Sequence, residues 1–195
     1  MCLVTKQAPE FEAEAVMPNN SIETISLSSY RGKYVVVFFY PLDFTFVCPS
    51  EILAFNRQVE DFKAKDCELL GISVDSVWTH LAWKNTPVDQ GGIGAVQFPL
   101  ISDLSKSISN DYCVLLEDGV SLRGLFLVDK EGVVRHQLIN DLPLGRNVDE
   151  ALRVIDALQF HETHGEVCPA NWRPGDDAMK PTPEGVADYL SKHGS

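Results

Sequence analysis

The chain of 195 residues is 45% hydrophobic and 23% charged, a composition that can bury a substantial core in one globular domain. Its formal net charge of -12, with no cluster of Lys and Arg, argues against a nucleic-acid surface, because binding to phosphates needs clustered cations. The start of the sequence lacks a basic segment followed by an apolar core, and no apolar run reaches membrane-spanning length, so we expect a cytoplasmic protein without membrane contact.

Predicted strands and helices alternate in the first half of the chain. Residues 34–40 form an apolar run without alternation, which predicts a central strand buried on both faces, and residues 67–76 have the same character. Helical patterns with one apolar face occupy residues 50–65, 77–84 and 104–110.

The order of elements changes after Leu122. Two apolar runs within residues 122–139 are joined by Asp-Lys-Glu-Gly, which is a hairpin signal, and a helical pattern follows over residues 148–160. A strand-to-helix turn that carries a cysteine, followed by a C-terminal hairpin and helix, is typical of a thioredoxin-like fold. We therefore predict an α/β architecture with a central mixed β-sheet flanked by helices.

The last part of the chain is rich in Pro and Gly. We expect one thioredoxin-like domain over residues 1–162 and an extended C-terminal tail over residues 163–195. The tail contains only a short helical pattern at residues 186–192.

The five cysteines form an odd set without paired metal-ligand spacing. We therefore expect reduced thiols, with no metal and no disulfide framework. The five positions are Cys2, Cys48, Cys67, Cys113 and Cys168.

Cys48 is the candidate for a working thiol. It follows the strand at residues 34–40 and precedes Pro49, which suits the first position of a helix, so we expect Cys48 at the N-cap. The partial positive charge of a helix N-terminus favours a thiolate. Alternatively, Cys48 is a small buried hydrophobic residue without a chemical role.

The neighbours of Cys48 decide between thiol chemistries. A thioredoxin-type C-x-x-C pair would need a cysteine at position 51, where the chain has Glu51. A cysteine hydrolase would need a histidine base, and the five histidines give no local pairing motif, although approach in space stays open. The remaining use is attack on a peroxide, which gives a sulfenic acid that a second thiol condenses to a disulfide.

A second thiol and a set of hydrogen-bond donors complete this scheme. Cys168 is the best second thiol, because movement costs little in the tail, and sequence spacing leaves open whether it meets Cys48 within one chain or across two. Breaking an O–O bond puts negative charge on the leaving oxygen, which calls for donors aimed at that oxygen. We choose the Thr45 hydroxyl, backbone N–H groups at the helix start, and Arg123.

At these residues the sequence resembles the typical two-cysteine peroxiredoxins. The segment YPLDFTFVCPSE matches the peroxidatic signature, with Pro41, Thr45 and Cys48 at P-x-x-x-T-x-x-C spacing, and HGEVCPANW matches the segment that holds the resolving cysteine. The likeness continues through LGISVDS, RGLFLVD and NDLPLGRNVDEALR, so it covers nearly the whole chain.

The resemblance implies a thiol-dependent peroxidase for hydrogen peroxide and organic hydroperoxides, active in antioxidant defence without a cofactor. It implies that Cys48 is oxidised to sulfenic acid and resolved by Cys168 of the partner subunit. The electron donor would be thioredoxin or a flavoprotein disulfide reductase. Thr45 and Arg123 would bind the peroxide, and Pro41 would shield the pocket from water.

The resemblance also implies supporting and assembly roles. Glu51 and Arg146 would orient Arg123. Trp83 would lie at the contact between dimers, through which five homodimers form a decamer. Alternatively, Trp83 is an aromatic residue of the core.

Some residues depart from the family pattern. Cys113 stands where the family usually has glycine, and we expect it to be structural; Cys67 is expected to be buried at a strand start. Residues 91–94 (GGIG) resemble half of the signature of easily over-oxidised peroxiredoxins, whereas Tyr189 and Leu190 replace its C-terminal Tyr-Phe. Looser packing of leucine predicts intermediate over-oxidation to sulfinic acid.

Two other functions are considered: a ring-forming holdase chaperone and a redox sensor that passes oxidation to a client protein. A Cys48→Ser substitution distinguishes the chaperone from the peroxidase, because it is expected to remove peroxidase activity and spare suppression of aggregation. A mixed disulfide that forms faster than the Cys48–Cys168 pair would indicate the second.

Overall fold

The computed structural model describes residues 2–194, which form two compact units, one ending at Val148 and one beginning at Asp149. The first unit contains a seven-stranded sheet in the order β2-β1-β5-β4-β3-β6-β7. The strands are β1 (Glu12–Val16), β2 (Ile22–Ser26), β3 (Tyr34–Phe39), β4 (Cys67–Ser73), β5 (Leu100–Ser102), β6 (Arg123–Val128) and β7 (Val134–Asn140). The helices are α1 (Cys48–Arg57), α2 (Val59–Ala64), α3 (Val77–Asn85), α4 (Ser107–Asp111), α5 (Val148–His164) and α6 (Pro183–His193).

The sheet is mixed, as predicted. The pairs β3–β4 and β4–β5 are parallel, whereas β3–β6, β6–β7, β1–β2 and β1–β5 are antiparallel. All six residues of β3 are buried, because this strand lies between β4 and β6 and both of its faces are covered. The predicted central strand at residues 34–40 is therefore confirmed, with its end at Phe39.

The predicted hairpin is also confirmed. β6 and β7 pair in antiparallel register, with an irregularity between Leu127 and Val128. The Asp129 side chain stabilises the turn by accepting hydrogen bonds from the backbone N–H of Glu131 (3.1 Å) and Val133 (2.8 Å). Gly132 has φ of 83°, a left-handed conformation that glycine adopts without strain.

Other elements differ from the sequence-based expectation. The predicted helix over residues 50–65 is two helices, α1 and α2, interrupted at Gln58, where φ is -107°. The predicted helix over 104–110 begins only at Ser107. Strands β1, β2 and β5 were not predicted, because the apolar positions of β1 are mostly alanine, β2 is a half-exposed edge strand, and β5 has only 3 residues.

Aromatic rings cover both faces of β3. On one face, Phe39, Tyr112 and Phe126 contact one another with ring centroids 4.9 to 5.9 Å apart. On the other face, the Phe38 ring stacks on Phe55 of α1 at 4.4 Å. This stacking fixes the helix that begins at Cys48 against the central strand.

The second unit contains most of α5 and all of α6. α5 extends to His164, beyond the predicted end at residue 160, and α6 is longer than the predicted 186–192. The Thr182 hydroxyl caps α6 by accepting a hydrogen bond from the Gly185 N–H at 3.0 Å. Between these helices, Val167 and Met179 form an isolated antiparallel bridge, so this part of the predicted tail is ordered. No helix among residues 2–194 is long and apolar enough to cross a membrane.

Phe55→Ala tests the packing of α1 against β3. Phe55 is fully buried, so we expect a loss of about 3–5 kcal/mol in the free energy of unfolding, measured by urea denaturation. Leu104→Ala is the control, because Leu104 is 66% exposed and its truncation is expected to change stability by no more than about 0.5 kcal/mol. Equal effects of the two substitutions would contradict this role of Phe55.

Candidate active site

Cys48 is the first residue of α1, and its side chain is fully buried. The expected N-cap position is wrong by one residue: the N-cap is Val47, with φ of -87° and ψ of -33°, and Pro49 is the second helical residue. The reason is that Val47 already has helical dihedral angles, so its carbonyl accepts hydrogen bonds from Ser50 and Glu51. The sulfur still lies in the first turn, at the positive end of the helix dipole.

The loop at residues 41–47 brings the Thr45 hydroxyl to the thiol. Thr45 Oγ1 lies 3.0 Å from Cys48 Sγ and 2.7 Å from the Leu42 carbonyl oxygen. Because a hydroxyl has one hydrogen, it donates to one of these acceptors at a time. Phe44 has φ of 54°, an uncommon conformation for a residue with a side chain, so this loop holds a strained turn.

A buried Asp43–His80 pair anchors the same loop. Asp43 Oδ2 lies 2.7 Å from His80 Nδ1, and the Tyr40 hydroxyl donates to Asp43 Oδ1 at 2.9 Å. The Asp43 N–H donates to the Asp75 carboxylate at 2.9 Å. Burial raises the pKa of the Asp43 carboxyl, and His80 opposes part of this rise. Sequence analysis missed both Asp43 and His80, although Asp43 lies within the signature segment.

Arg123, the first residue of β6, also contacts the thiol. Its Nη1 is 3.4 Å from Cys48 Sγ and 2.6 Å from Glu51 Oε2. Its Nε donates to the Leu142 carbonyl at 2.7 Å. The predicted proximity of Thr45 and Arg123 to Cys48 therefore agrees with the geometry.

Glu51 pairs with two buried arginines. Arg146 donates to the Glu51 carboxylate from its backbone N (2.9 Å), Nε (2.8 Å) and Nη2 (3.0 Å), while Arg123 binds Oε2. Arg146 Nη1 also donates to the carbonyls of Phe39 (2.8 Å) and Gly124 (2.6 Å). Burial opposes ionisation of Glu51, but Arg146 and then Arg123 outweigh it and lower the pKa of the carboxyl.

The cluster of charged side chains around Cys48 has a net positive charge. Two guanidinium groups and one carboxylate leave one positive charge in a buried environment. A thiolate at Cys48 makes the four groups neutral as a set, which reduces the cost of burying them.

A cleft of about 560 Å³ opens beside Thr45 and Arg123. Its walls are largely apolar, and they include Pro41, Leu42, Phe46, Val47, Leu142 and Pro143. Pro41 is buried, whereas the Phe46 side chain is 97% exposed at the rim. The arrangement suits a small substrate whose reacting atom meets the sulfur while a polar oxygen meets the Thr45 and Arg123 donors.

Cys168 lies in the second unit and is half-buried. Its Sγ is 3.5 Å from the carbonyl oxygen of Ala157. Ala157 lies on α5, one helical turn after Arg153. Burial raises the pKa of the Cys168 thiol, and Arg153 opposes this rise. Arg153 also donates to the Trp172 carbonyl at 3.0 Å, which holds the segment that contains Cys168 on the helix.

The other cysteines are not placed for this chemistry. Cys67 is buried at the start of β4, as expected, and burial raises the pKa of its thiol to about 12. Cys2 and Cys113 are exposed. Cys113 has φ of 57°, a conformation that favours glycine, so it occupies a strained surface turn and is not a core residue.

Trp83 is fully buried, and its Nε1 donates to the Gly91 carbonyl at 2.9 Å. Its ring lies 5.8 Å from that of Phe44, whose side chain is 50% exposed. In the described chain Trp83 therefore has the surroundings of a core aromatic, and Phe44 presents the surface. Among residues 2–194, no group of three or more His, Cys, Asp or Glu side chains is placed to hold a metal ion.

Family models match both units of the chain. Residues 4–137 match the AhpC/TSA family, and residues 157–192 match the C-terminal domain of 1-Cys peroxiredoxin. The chain is 58% identical over 193 residues to alkyl hydroperoxide reductase C of Helicobacter pylori strain J99, covering 98% of each chain. It is 55% identical over 191 residues to peroxiredoxin-2 of Mus musculus, covering 97% of this chain and 96% of that protein.

The structure is similar to the reduced 2-Cys peroxiredoxin of Plasmodium vivax. The TM-score is 0.96 at 56% sequence identity, and the match covers 98% of this chain and 100% of the other. These similarities confirm the predicted thioredoxin-like fold and the predicted family resemblance.

Glu51→Gln tests the ion-pair cluster. The substitution leaves two buried guanidinium groups without a carboxylate, so we expect a loss of about 3–5 kcal/mol in the free energy of unfolding at pH 7. Glu60→Gln is the matched control, because Glu60 lies in a surface i,i+3 pair with Lys63. Urea denaturation measures both, and equal effects would contradict the role of Glu51.

The pH dependence of this loss has a defined sign. The pKa of Glu51 is lower in the folded than in the unfolded chain, so its stabilisation is complete above the unfolded value of about 4.3. This stabilisation disappears as the pH falls through the pKa that Glu51 has in the folded chain. The stability difference between wild type and Glu51→Gln is therefore expected to shrink below about pH 4. A difference that grows in acid would contradict the assignment.

Proposed function

Because the chain belongs to the AhpC/TSA family and is a peroxiredoxin, a thiol-dependent antioxidant peroxidase, we propose that Cys48 is its peroxidatic thiol and Cys168 its resolving thiol. The surroundings of the Cys48 sulfur support its assignment as the peroxidatic thiol. Cys48 Sγ lies between the Thr45 hydroxyl at 3.0 Å and the Arg123 guanidinium at 3.4 Å, at a cleft that Thr45 and Arg123 both line. The substrates are hydrogen peroxide and organic hydroperoxides.

In the first step, the Cys48 thiolate attacks the terminal oxygen of the hydroperoxide. The S–O bond forms and the O–O bond breaks, so sulfur is oxidised to sulfenic acid and the peroxide is reduced. The leaving oxygen takes up a proton and departs as water or an alcohol. Arg123 and Thr45 donate hydrogen bonds to the oxygen atoms as negative charge develops on the leaving one.

In the second step, the Cys168 thiolate of a partner subunit attacks the Cys48 sulfenic sulfur. A disulfide forms and water leaves. A dithiol protein of the thioredoxin type, or a flavoprotein disulfide reductase, then reduces this disulfide and returns both thiols. Cys48 is fully buried, so the first turn of α1 has to open before the partner can reach it.

Glu51, Arg146 and Pro41 act through their neighbours. Glu51 fixes the Arg123 guanidinium beside the sulfur, and Arg146 fixes Glu51 through its backbone N–H and guanidinium contacts. Pro41 forms part of the apolar wall that limits access of water to the thiol.

Homodimers would assemble into a decamer through the surface around Phe44. Phe44 is 50% exposed, and an exposed large aromatic side chain is a candidate for a contact with another chain. The Trp83 ring packs against the Phe44 ring, so Trp83 would affect the contact between dimers indirectly.

Covalent dimerisation tests the assignment of the two cysteines. One equivalent of hydrogen peroxide is expected to give a covalent dimer in wild type, resolved by non-reducing electrophoresis, and none in Cys48→Ser or Cys168→Ser. Mass spectrometry should find Cys48 sulfenic or sulfinic acid accumulating in Cys168→Ser. Cys113→Ser is the control, because its exposed thiol is not placed for this chemistry and the dimer should persist.

Two outcomes would contradict the assignment. If Cys168→Ser still dimerises as wild type does, Cys168 is not the resolving thiol. If wild type reduces peroxide without forming a dimer, the enzyme follows a one-cysteine cycle.

Leu190→Phe tests the predicted sensitivity to over-oxidation. Leu190 lies on α6 and is 55% exposed, and the family resemblance implies that a phenylalanine at this position makes a peroxiredoxin easier to over-oxidise. We expect severalfold more Cys48 sulfinic acid per turnover, quantified by mass spectrometry during peroxide titration. Leu190→Met is the control of similar size, and equal over-oxidation in both variants would contradict the prediction.

A further inference from the structure

The cleft beside Cys48 is much larger than hydrogen peroxide requires. Its volume is about 560 Å³. A water molecule occupies about 30 Å³ in the liquid, and hydrogen peroxide is only one oxygen larger. Most of the cleft is therefore open to the organic substituent of a hydroperoxide.

Two charged side chains, Arg123 and Asp118, line this cleft. Arg123 is buried and paired with Glu51 at 2.6 Å, and together with Arg146 and the attacking Cys48 thiolate of the proposed reaction these groups have no net charge. Asp118 is exposed and belongs to the wall that also contains Val120. A substituent in the cleft therefore meets apolar walls and one carboxylate.

A tight turn holds Asp118 in this position. The Leu116 N–H donates to the Val120 carbonyl at 2.9 Å, and the Gly119 N–H donates to the Leu116 carbonyl at 3.0 Å. Gly119 has φ of 85°, which this turn requires. The Asp118 carboxylate accepts a hydrogen bond from the Val120 N–H at 3.4 Å. This bond directs the carboxylate toward Val120, which lines the same wall of the cleft.

The base of the turn is fixed in the protein interior. Leu115 and Ser121 form an antiparallel bridge, and the buried Ser121 hydroxyl lies 2.7 Å from that of Ser109. Ser109 in turn donates to the buried Asp103 carboxylate at 2.6 Å. The ammonium of Lys106, the residue before α4, lies beside Gly119 of this turn but does not line the cleft. The position of the Asp118 charge relative to the cleft is thus set by the fold.

We propose that Asp118 is a specificity residue that makes the enzyme prefer neutral organic hydroperoxides over those with a carboxylate on the organic substituent. The inference rests on the proposed function of Cys48 and adds a discrimination between substrates of equal shape. Its physical basis is repulsion between like charges, which changes an association rate by about threefold at separations of several ångströms in water.

The test compares the para-carboxamide and para-carboxylate derivatives of cumene hydroperoxide, which have nearly the same shape and differ by one negative charge. In wild type we expect kcat/KM to be about threefold higher for the neutral substrate at low salt, with the ratio falling as salt is raised. Asp118→Asn should bring the ratio close to one, and Asp118→Lys should invert it.

Glu117→Gln is the matched control, because Glu117 is the exposed neighbour of Asp118 in the same turn and does not line the cleft. It removes the same charge from the chain and should leave the wild-type ratio unchanged. A ratio that stays at the wild-type value in both Asp118 variants, or that shifts equally in Glu117→Gln, would overturn the inference. If wild type reduces neither cumene hydroperoxide nor hydrogen peroxide, the proposed function itself fails.

Discussion

The active site depends on one buried carboxylate. Glu51 holds two guanidinium groups, Arg123 and Arg146, that come from distant parts of the chain and would otherwise repel each other. Burying a charge is costly unless it is paired and hydrogen-bonded, and here each Glu51 oxygen accepts at least two hydrogen bonds. The ion pairs that join α1 to β6 and to the segment after β7 thus also place the donor beside Cys48. In the proposed mechanism, stability and catalysis therefore depend on the same contacts.

The loop before α1 is fixed from the opposite side. Asp43 and His80 form a buried pair at 2.7 Å, and the strained backbone at Phe44 persists because the residues around it are anchored. Thr45 lies between this pair and Cys48, so its hydroxyl is held in place before a substrate arrives. Donors that are already oriented need no reorganisation when charge develops on the leaving oxygen, which is how such sites lower a barrier.

Sequence reasoning recovered the parts of the molecule that have a local signal. β3 was predicted because its apolar run is continuous, and Thr45 and Arg123 because O–O cleavage requires donors near the thiol. Glu51 and Arg146 came only from the family resemblance, since residues 95 positions apart give no local pattern of pairing. The Asp43–His80 contact was missed for the same reason, because its partners are 37 positions apart. Such buried polar pairs are determined by the tertiary fold.

The charge balance also bears on the proposed reaction of the buried Cys48 thiol with a second subunit. While Cys48 is a thiolate, it neutralises the remaining positive charge of Glu51, Arg123 and Arg146. A protonated sulfenic acid would have no charge and would leave the cluster with one uncompensated positive charge in a buried environment. The closed arrangement is then less stable relative to an open one in which water solvates the arginines. In the proposed reaction, a protonated sulfenic acid would thereby favour opening of the first turn of α1, the movement that the resolving thiol would require.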